Sequence, residues 1–323
     1  MMIEIFLFGG LLLAWAFGRN NFSNVFGSAV GTGILSFKFA AFLTGIFLLL
    51  GAVLTGSGTS DTVSQLASFS SLPEACLFSV IIALMMIILT KLGIPASVAQ
   101  ISIGALVGWN LALKEPILWN KVIDIVLAWF YSPLIACMVA FFVFKWMRFF
   151  LKKYPFPILY RDIGTRSLWV IVGSFTAYSL GANNLPVLTI PFSSFMDRPF
   201  ILSILFSIGV GIGCLMASKK VIKMLSSKLF PLSSVESLIV AFSGALTLLL
   251  FSFQNGFLPA LPISMGASLI GAIVGVSLGK GGYGLKGKTL LSIIFSWVWA
   301  PLFSGLLCFG IQTIIESGGF WPA

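Results

Sequence analysis

Gly18-Arg19-Asn20-Asn21 closes the first apolar run of this chain, and Gly181-Ala182-Asn183-Asn184 closes another 163 positions later. Adjacent amides are costly inside a strongly hydrophobic protein unless something uses them. Two copies at matching places point to a transporter assembled from internal repeats. The duplication goes further. Pro95-Ala96-Ser97 with Gly104-Ala105-Leu106-Val107-Gly108 aligns with Pro262-Ile263-Ser264 and Gly271-Ala272-Ile273-Val274-Gly275, at an offset of 167. Trp129 and Pro133 align with Trp297 and Pro301, at an offset of 168. The blocks keep their order and the offsets drift by only five residues.

Composition agrees with a chain that lives in lipid. Of 323 residues, 59% are hydrophobic and only 9% charged, with a mean hydropathy of +1.09. An ordinary soluble domain and a disordered chain are both excluded. The alternating segments of a β-barrel are absent. Apolar stretches long enough to cross a bilayer, roughly 20 residues each, recur throughout. The expected fold class is therefore an all-α polytopic membrane protein of two inverted repeats, each with about five transmembrane elements. Those elements fall near 2–17, 34–56, 74–90, 95–111 and 119–147, then 168–180, 200–217, 235–253, 259–279 and 288–315. The domain reading is 1–147 for the first repeat, 148–167 for a basic cytoplasmic linker, and 168–323 for the second repeat.

An odd number of crossings per repeat inverts the second copy. With the basic join at 145–166 in the cytoplasm, sixteen of the nineteen Lys and Arg residues fall inside. Only Lys114, Lys121 and Arg198 fall outside, the bias a correct topology shows. Both termini then face out. The first segment carries Glu4 and no basic stretch before it, so it reads as a retained helix and not a signal peptide. Compact size and lack of a targeting sequence place the chain in the cell's inner membrane. The net charge of +10 sits between apolar runs, which leaves no solvated basic domain for nucleic acid. Cys76, Cys137, Cys214 and Cys308 are scattered singly and histidine is absent, so no redox pair or metal-ligand set is expected. Nothing pairs a nucleophile with a base, and an enzyme is not expected.

The amide motifs carry the candidate chemistry. A glycine ending an apolar helix lets the chain leave helical geometry, and a helix restarting beyond it turns free N–H groups towards an anion. Broken or re-entrant helices near the midplane are expected here, sharpest in the second half where Pro186 and Pro191 remove backbone donors. Asn20, Asn21, Ser28, Asn183 and Asn184 would then surround an anion, with Asn20, Asn21, Asn183 and Asn184 offering oxygens to sodium. Ser97 and Ser264 sit in the first turn after a proline, placed to cap a helix or touch the ligand. Asn24, Gln100 and Thr189 would support them. Helix packing is the competing reading, since amides and small residues join membrane helices at about 0.6–2 kcal/mol per hydrogen bond. Glu74 and Glu236 open matching elements, where a carboxylate complements the helix dipole.

The segment from Gly18 to Asp61 resembles the inorganic phosphate transporter (PiT) family of phosphate and sulfate permeases. That family carries Gly-Ala-Asn-Asp-Val-Ala-Asn in both halves. The first copy is followed by a segment similar to Gly27-Ser28-Ala29-Val30-Gly31, and Gly51-Ala52-Val53-Leu54 and Ser60-Asp61-Thr62 also look like the family. Its Pro-Val-Ser-Thr-Thr-His signature resembles 95–100 and, more weakly, 262–267. The resemblance implies inverted repeats, cation-driven phosphate uptake and a homodimer. The departures are specific. The family's motif aspartates are Asn21 and Asn184 here, a family glutamate is Leu48, its histidine is Gln100, and the final asparagine of the second motif is Val187. A neutral site suits sulfate, which has no proton to give a carboxylate. It can still hold phosphate, because asparagine keeps a carbonyl acceptor. The expected function is a permease for a tetrahedral oxyanion, phosphate first, with a sulfate permease or a passive anion channel as alternatives.

Overall fold

The structure, a computed structural model, describes residues 2–67, 69–92, 97–153, 158–196, 198–217, 232–253, 258–282 and 287–318. Pro95, Ala96 and the basic residues Lys219, Lys220, Lys223, Lys228 and Lys286 lie outside the described residues. The described residues form eleven helices and no strand. They are α1 (Met2–Gly31), α2 (Phe37–Thr55), α3 (Ser57–Ser64), α4 (Leu72–Leu92), α5 (Val98–Leu113) and α6 (Trp119–Lys153) in the first half. The second half holds α7 (Ile158–Ser193), α8 (Pro199–Leu215), α9 (Ser234–Leu250), α10 (Met265–Gly279) and α11 (Gly287–Gly318). Helices α2, α4 and α6 and the stretch Trp297–Gly318 of α11 are long and apolar enough to cross a membrane. Most of the basic join is helical, because α6 runs to Lys153 and α7 starts at Ile158.

The two halves interlock. Between the halves the closest crossings are α1 with α8 and α2 with α7, and α5 with α11 and α6 with α10. Exchanging the halves turns each pairing into its counterpart, so the packing has the pseudo-twofold symmetry of the sequence. Glycines explain why these crossings are so tight. A methyl group on Gly18 would overlap the Val210 carbonyl, and one on Gly181 would overlap the Leu48 carbonyl. The same relation pairs Gly51 with Tyr178 and Gly213 with Trp15, Gly104 with Pro301 and Gly271 with Pro133, and Gly108 with Gly305 and Gly275 with Cys137. Small residues let backbones meet where lipid provides no hydrophobic drive.

The fold class is the one read from the sequence, but the interruption is not at the amides. Helices α1 and α7 run unbroken through Asn20–Asn21 and Asn183–Asn184. Gly18 and Gly181 serve close approach between helices, not an exit from helical geometry. Pro186 and Pro191 lie inside α7, where they remove only the bonds to the carbonyls of Ala182 and Val187. The described interruption falls between α9 and α10, where 258–264 forms an extended strap.

Outward faces are apolar. Phe130, Leu134, Met138 and Phe142 are exposed on α6, and Val298, Leu302, Phe303 and Leu306 on α11. Ser233 and Glu236 make a complete capping box at the start of α9, and Glu236 pairs with Lys280 at 2.6 Å. Glu74 accepts from the Ser70 N–H and the Ser71 hydroxyl, both at 3.1 Å. Both carboxylates thus stand in the first turn of a helix, the place dipole complementarity favours.

Candidate functional site

Four elements converge on the amides. Helices α1 and α7 touch directly, α5 touches α7, and α10 touches α1. Helices α1 and α7 run antiparallel, with Gly173 against Phe26 and Gly10 against Phe192. At 1.5 Å of rise per residue, that register sets the two amide pairs only about one helical turn, ~5 Å, apart in depth. Both pairs are interior, with Asn21 6%, Asn183 0% and Asn184 2% exposed and Asn20 half-buried.

In the first pair, Asn20 Nδ2 donates to Thr90 Oγ1 at 2.8 Å, and that hydroxyl donates to the Met86 carbonyl at 2.6 Å. In the second, Asn183 Nδ2 reaches Ser252 Oγ at 3.3 Å, and Ser252 donates to the Leu248 carbonyl at 2.9 Å. Thr90 and Ser252 occupy corresponding positions, so the amide–hydroxyl link is duplicated along with the sequence. Each link ties the central helix of its half to the C-terminal end of α4 or α9.

Asn183 does more. Its Nδ2 also approaches the carbonyls of Leu261 (3.0 Å), Phe251 (3.1 Å) and Leu248 (3.4 Å), while its Oδ1 accepts from the Ile263 N–H at 2.9 Å. A buried amide with both ends engaged holds the strap against α7. Asn184 Nδ2 donates to the same Oδ1 at 3.2 Å, and its own Oδ1 takes no hydrogen bond among the described residues. Asn21 Nδ2 donates to the Phe17 carbonyl at 3.2 Å, and its Oδ1 accepts from Asn24 Nδ2 at 3.1 Å. Among the described residues no hydrogen bond joins Asn20 or Asn21 to Asn183 or Asn184.

Ser97 and Ser264 are helix N-caps, accepting from the N–H groups of Gln100 at 3.5 Å and Ala267 at 3.2 Å. Ser264 directly follows the residue that Asn183 grips, which brings the α10 N-terminus to the second amide pair. Gln100 is 1% exposed and its Nε2 lacks a partner among the described residues. Ser28 is half-buried near the end of α1, and Thr189 spends its hydroxyl on the Pro186 carbonyl at 3.1 Å. The described carboxylates stand at helix ends or in α3, so the centre is neutral.

Sequence reasoning missed the strap's other holders. Trp129 Nε1 donates to the Pro262 carbonyl at 3.0 Å, and Thr62 Oγ1 to the Ala260 carbonyl at 2.6 Å. The signal for Trp129 was present, since Trp129 and Pro262 both belong to duplicated blocks. Thr62 carried no such signal. Leu48, where the resembling family has a glutamate, is fully buried at the α2–α7 crossing beside Gly181.

Known proteins agree with this architecture. The solved structure of a sodium-dependent phosphate transporter superposes with a TM-score of 0.82, covering 98% of this chain and all of that one at 20% identity. A candidate phosphate permease of Methanocaldococcus jannaschii is 27% identical across 97% of this chain and 98% of its own length. Sodium-dependent phosphate transporter 1 of Rattus norvegicus is 28% identical over 60% of this chain, which is 30% of the rat protein. The phosphate transporter family profile matches residues 17–163 and again 161–308. The chain is a multi-pass membrane protein that belongs to the phosphate transporter family.

Proposed function

We propose that this protein is a permease that takes up inorganic phosphate with sodium by alternating access. The observation that carries the reading is the meeting of two family-matched halves around two amide pairs on touching antiparallel helices. Phosphate would lie between the pairs, near the N-termini of α5 and α10, where capped helix ends offer positive potential. Asn20, Asn21, Ser28, Asn183, Asn184, Ser97 and Ser264 would line its path, with Asn24, Gln100 and Thr189 behind them. The Oδ1 atoms of Asn20 and Asn184, which accept no hydrogen bond among the described residues, suit a cation or the proton of monohydrogen phosphate. Sodium enters the proposal because the rat relative and the solved neighbour are named for their dependence on it. The functional division is 1–147 and 168–323 as repeats about a cytoplasmic join at 148–167, with both termini outside the cell's inner membrane. The exposed faces of α6 and α11 would meet lipid or a second copy in a homodimer.

Sulfate is the second substrate reading, favoured by the amides where the family has aspartates. The test is uptake by the purified chain in vesicles, with radiolabelled phosphate and sulfate, with and without an inward sodium gradient. Phosphate accumulation above equilibrium only with sodium is expected. Equilibration without accumulation would make the protein a channel, and faster sulfate than phosphate uptake would reassign the substrate.

A further inference from the structure

Thr62, Lys121, Asp124 and residues 258–261 line a half-open cavity of about 350 Å³. We propose that this cavity is an outer vestibule where Lys121 captures the oxyanion before it passes the strap, an inference that rests on the permease reading above. Three observations converge. First, the cavity and the second amide pair share one wall. Leu261 lines the cavity, and its carbonyl accepts from Asn183 at 3.0 Å. A single extended segment therefore separates the vestibule from the centre.

Second, that wall is held by side chains from three different elements, Thr62 of α3, Trp129 of α6 and Asn183 of α7. The Leu261 N–H adds one main-chain bond, to the Phe251 carbonyl at 2.9 Å, and residues 258–263 form no helix. Releasing them would break these few bonds and unwind no helix.

Third, the cavity sets an ammonium, beside one carboxylate, at the end an incoming anion would meet first. Lys121 is half-buried and makes no ion pair among the described residues. It is one of only three basic residues on the predicted outer side. An unpaired ammonium in a partly enclosed, low-dielectric recess attracts anions more strongly than one on open surface. Asp124 lies one turn along the same face of α6, where it can accept the proton of monohydrogen phosphate or hold the accompanying cation. The recess has room for a small ion with water around it.

The test compares the full chain with Lys121→Gln and Lys121→Arg in reconstituted vesicles. The glutamine variant should raise the KM for phosphate about fivefold, leave kcat unchanged, and lose the wild type's sensitivity to ionic strength, as expected for a charge acting on encounter. The arginine variant should restore the wild-type KM. A second readout does not need transport. In the purified wild-type chain, millimolar phosphate should slow acylation of the Lys121 amine by a charged reagent, read by peptide mass spectrometry. Unchanged KM in Lys121→Gln together with no protection by phosphate would overturn the vestibule. Protection in a wild-type chain that takes up no phosphate would uphold the vestibule and overturn the permease reading instead.

Discussion

The two amide pairs share one motif, and among the described residues the second holds more structure than the first. Asn20 makes one described side-chain bond, to Thr90, and Asn183 repeats that bond through Ser252. Asn183 then adds the clasp on Leu261 and Ile263. The counterpart of this strap in the first half, 93–96, lies outside the described residues, so the clasp is described for the second half alone.

The largest expected effect tests the symmetry itself. Gly18→Ala and Gly181→Ala should each destabilise the fold by about 3 kcal/mol or more, because a backbone carbonyl and not a flexible side chain occupies the added space. Thermal unfolding in detergent should show equal losses, and a loss in only one would break the equivalence of the two crossings. The next effect separates the pairs. Asn183→Ala should cost about 3 kcal/mol, since it strands the buried Ile263 N–H along with several acceptors, whereas Asn20→Ala should cost about 1 kcal/mol. Equal losses would show that the first pair also holds a strap.

Restoring acid should sharpen the functional side of the comparison. Asn21→Asp and Asn184→Asp should each lower sulfate uptake relative to phosphate by about tenfold, because a carboxylate repels a fully ionised anion but accepts the proton of monohydrogen phosphate. Competition between the two labelled anions reads that ratio. The smallest effect belongs to Trp129→Phe, which removes one hydrogen bond on the strap at a cost of about 0.6–2 kcal/mol. Hydrogen exchange at Ile263 should rise while the amides of α1 stay protected.

Much of this was legible in the sequence because duplication leaves a mark that survives divergence. The offsets of 163 to 168 identified the paired helices, and the apolar runs located them. Ser97 and Ser264 announced their caps by standing just after a proline. The misplaced break had a physical cause. A glycine after an apolar run is compatible both with leaving a helix and with admitting another helix's backbone, and only the partner decides. For Gly18 that partner is Val210, and for Gly181 it is Leu48, residues far away in the chain. The clasp was hidden for the same reason. Asn183 and Ile263 lie 80 positions apart, and the acceptors on the strap are main-chain atoms that no residue type reveals. Thr62 stood in a stretch that resembles the family and Lys121 in the charge bias, but only the fold brought them to one cavity.

The interlocked crossings have a consequence for how such a chain arose. Most of the tight glycine crossings run between the halves, so a single repeat would leave those faces bare. A half-length protein with such faces would need a second copy inserted in the opposite direction to cover them. Splitting the chain at 154–157 should accordingly yield two fragments that accumulate when co-produced and are degraded when made separately.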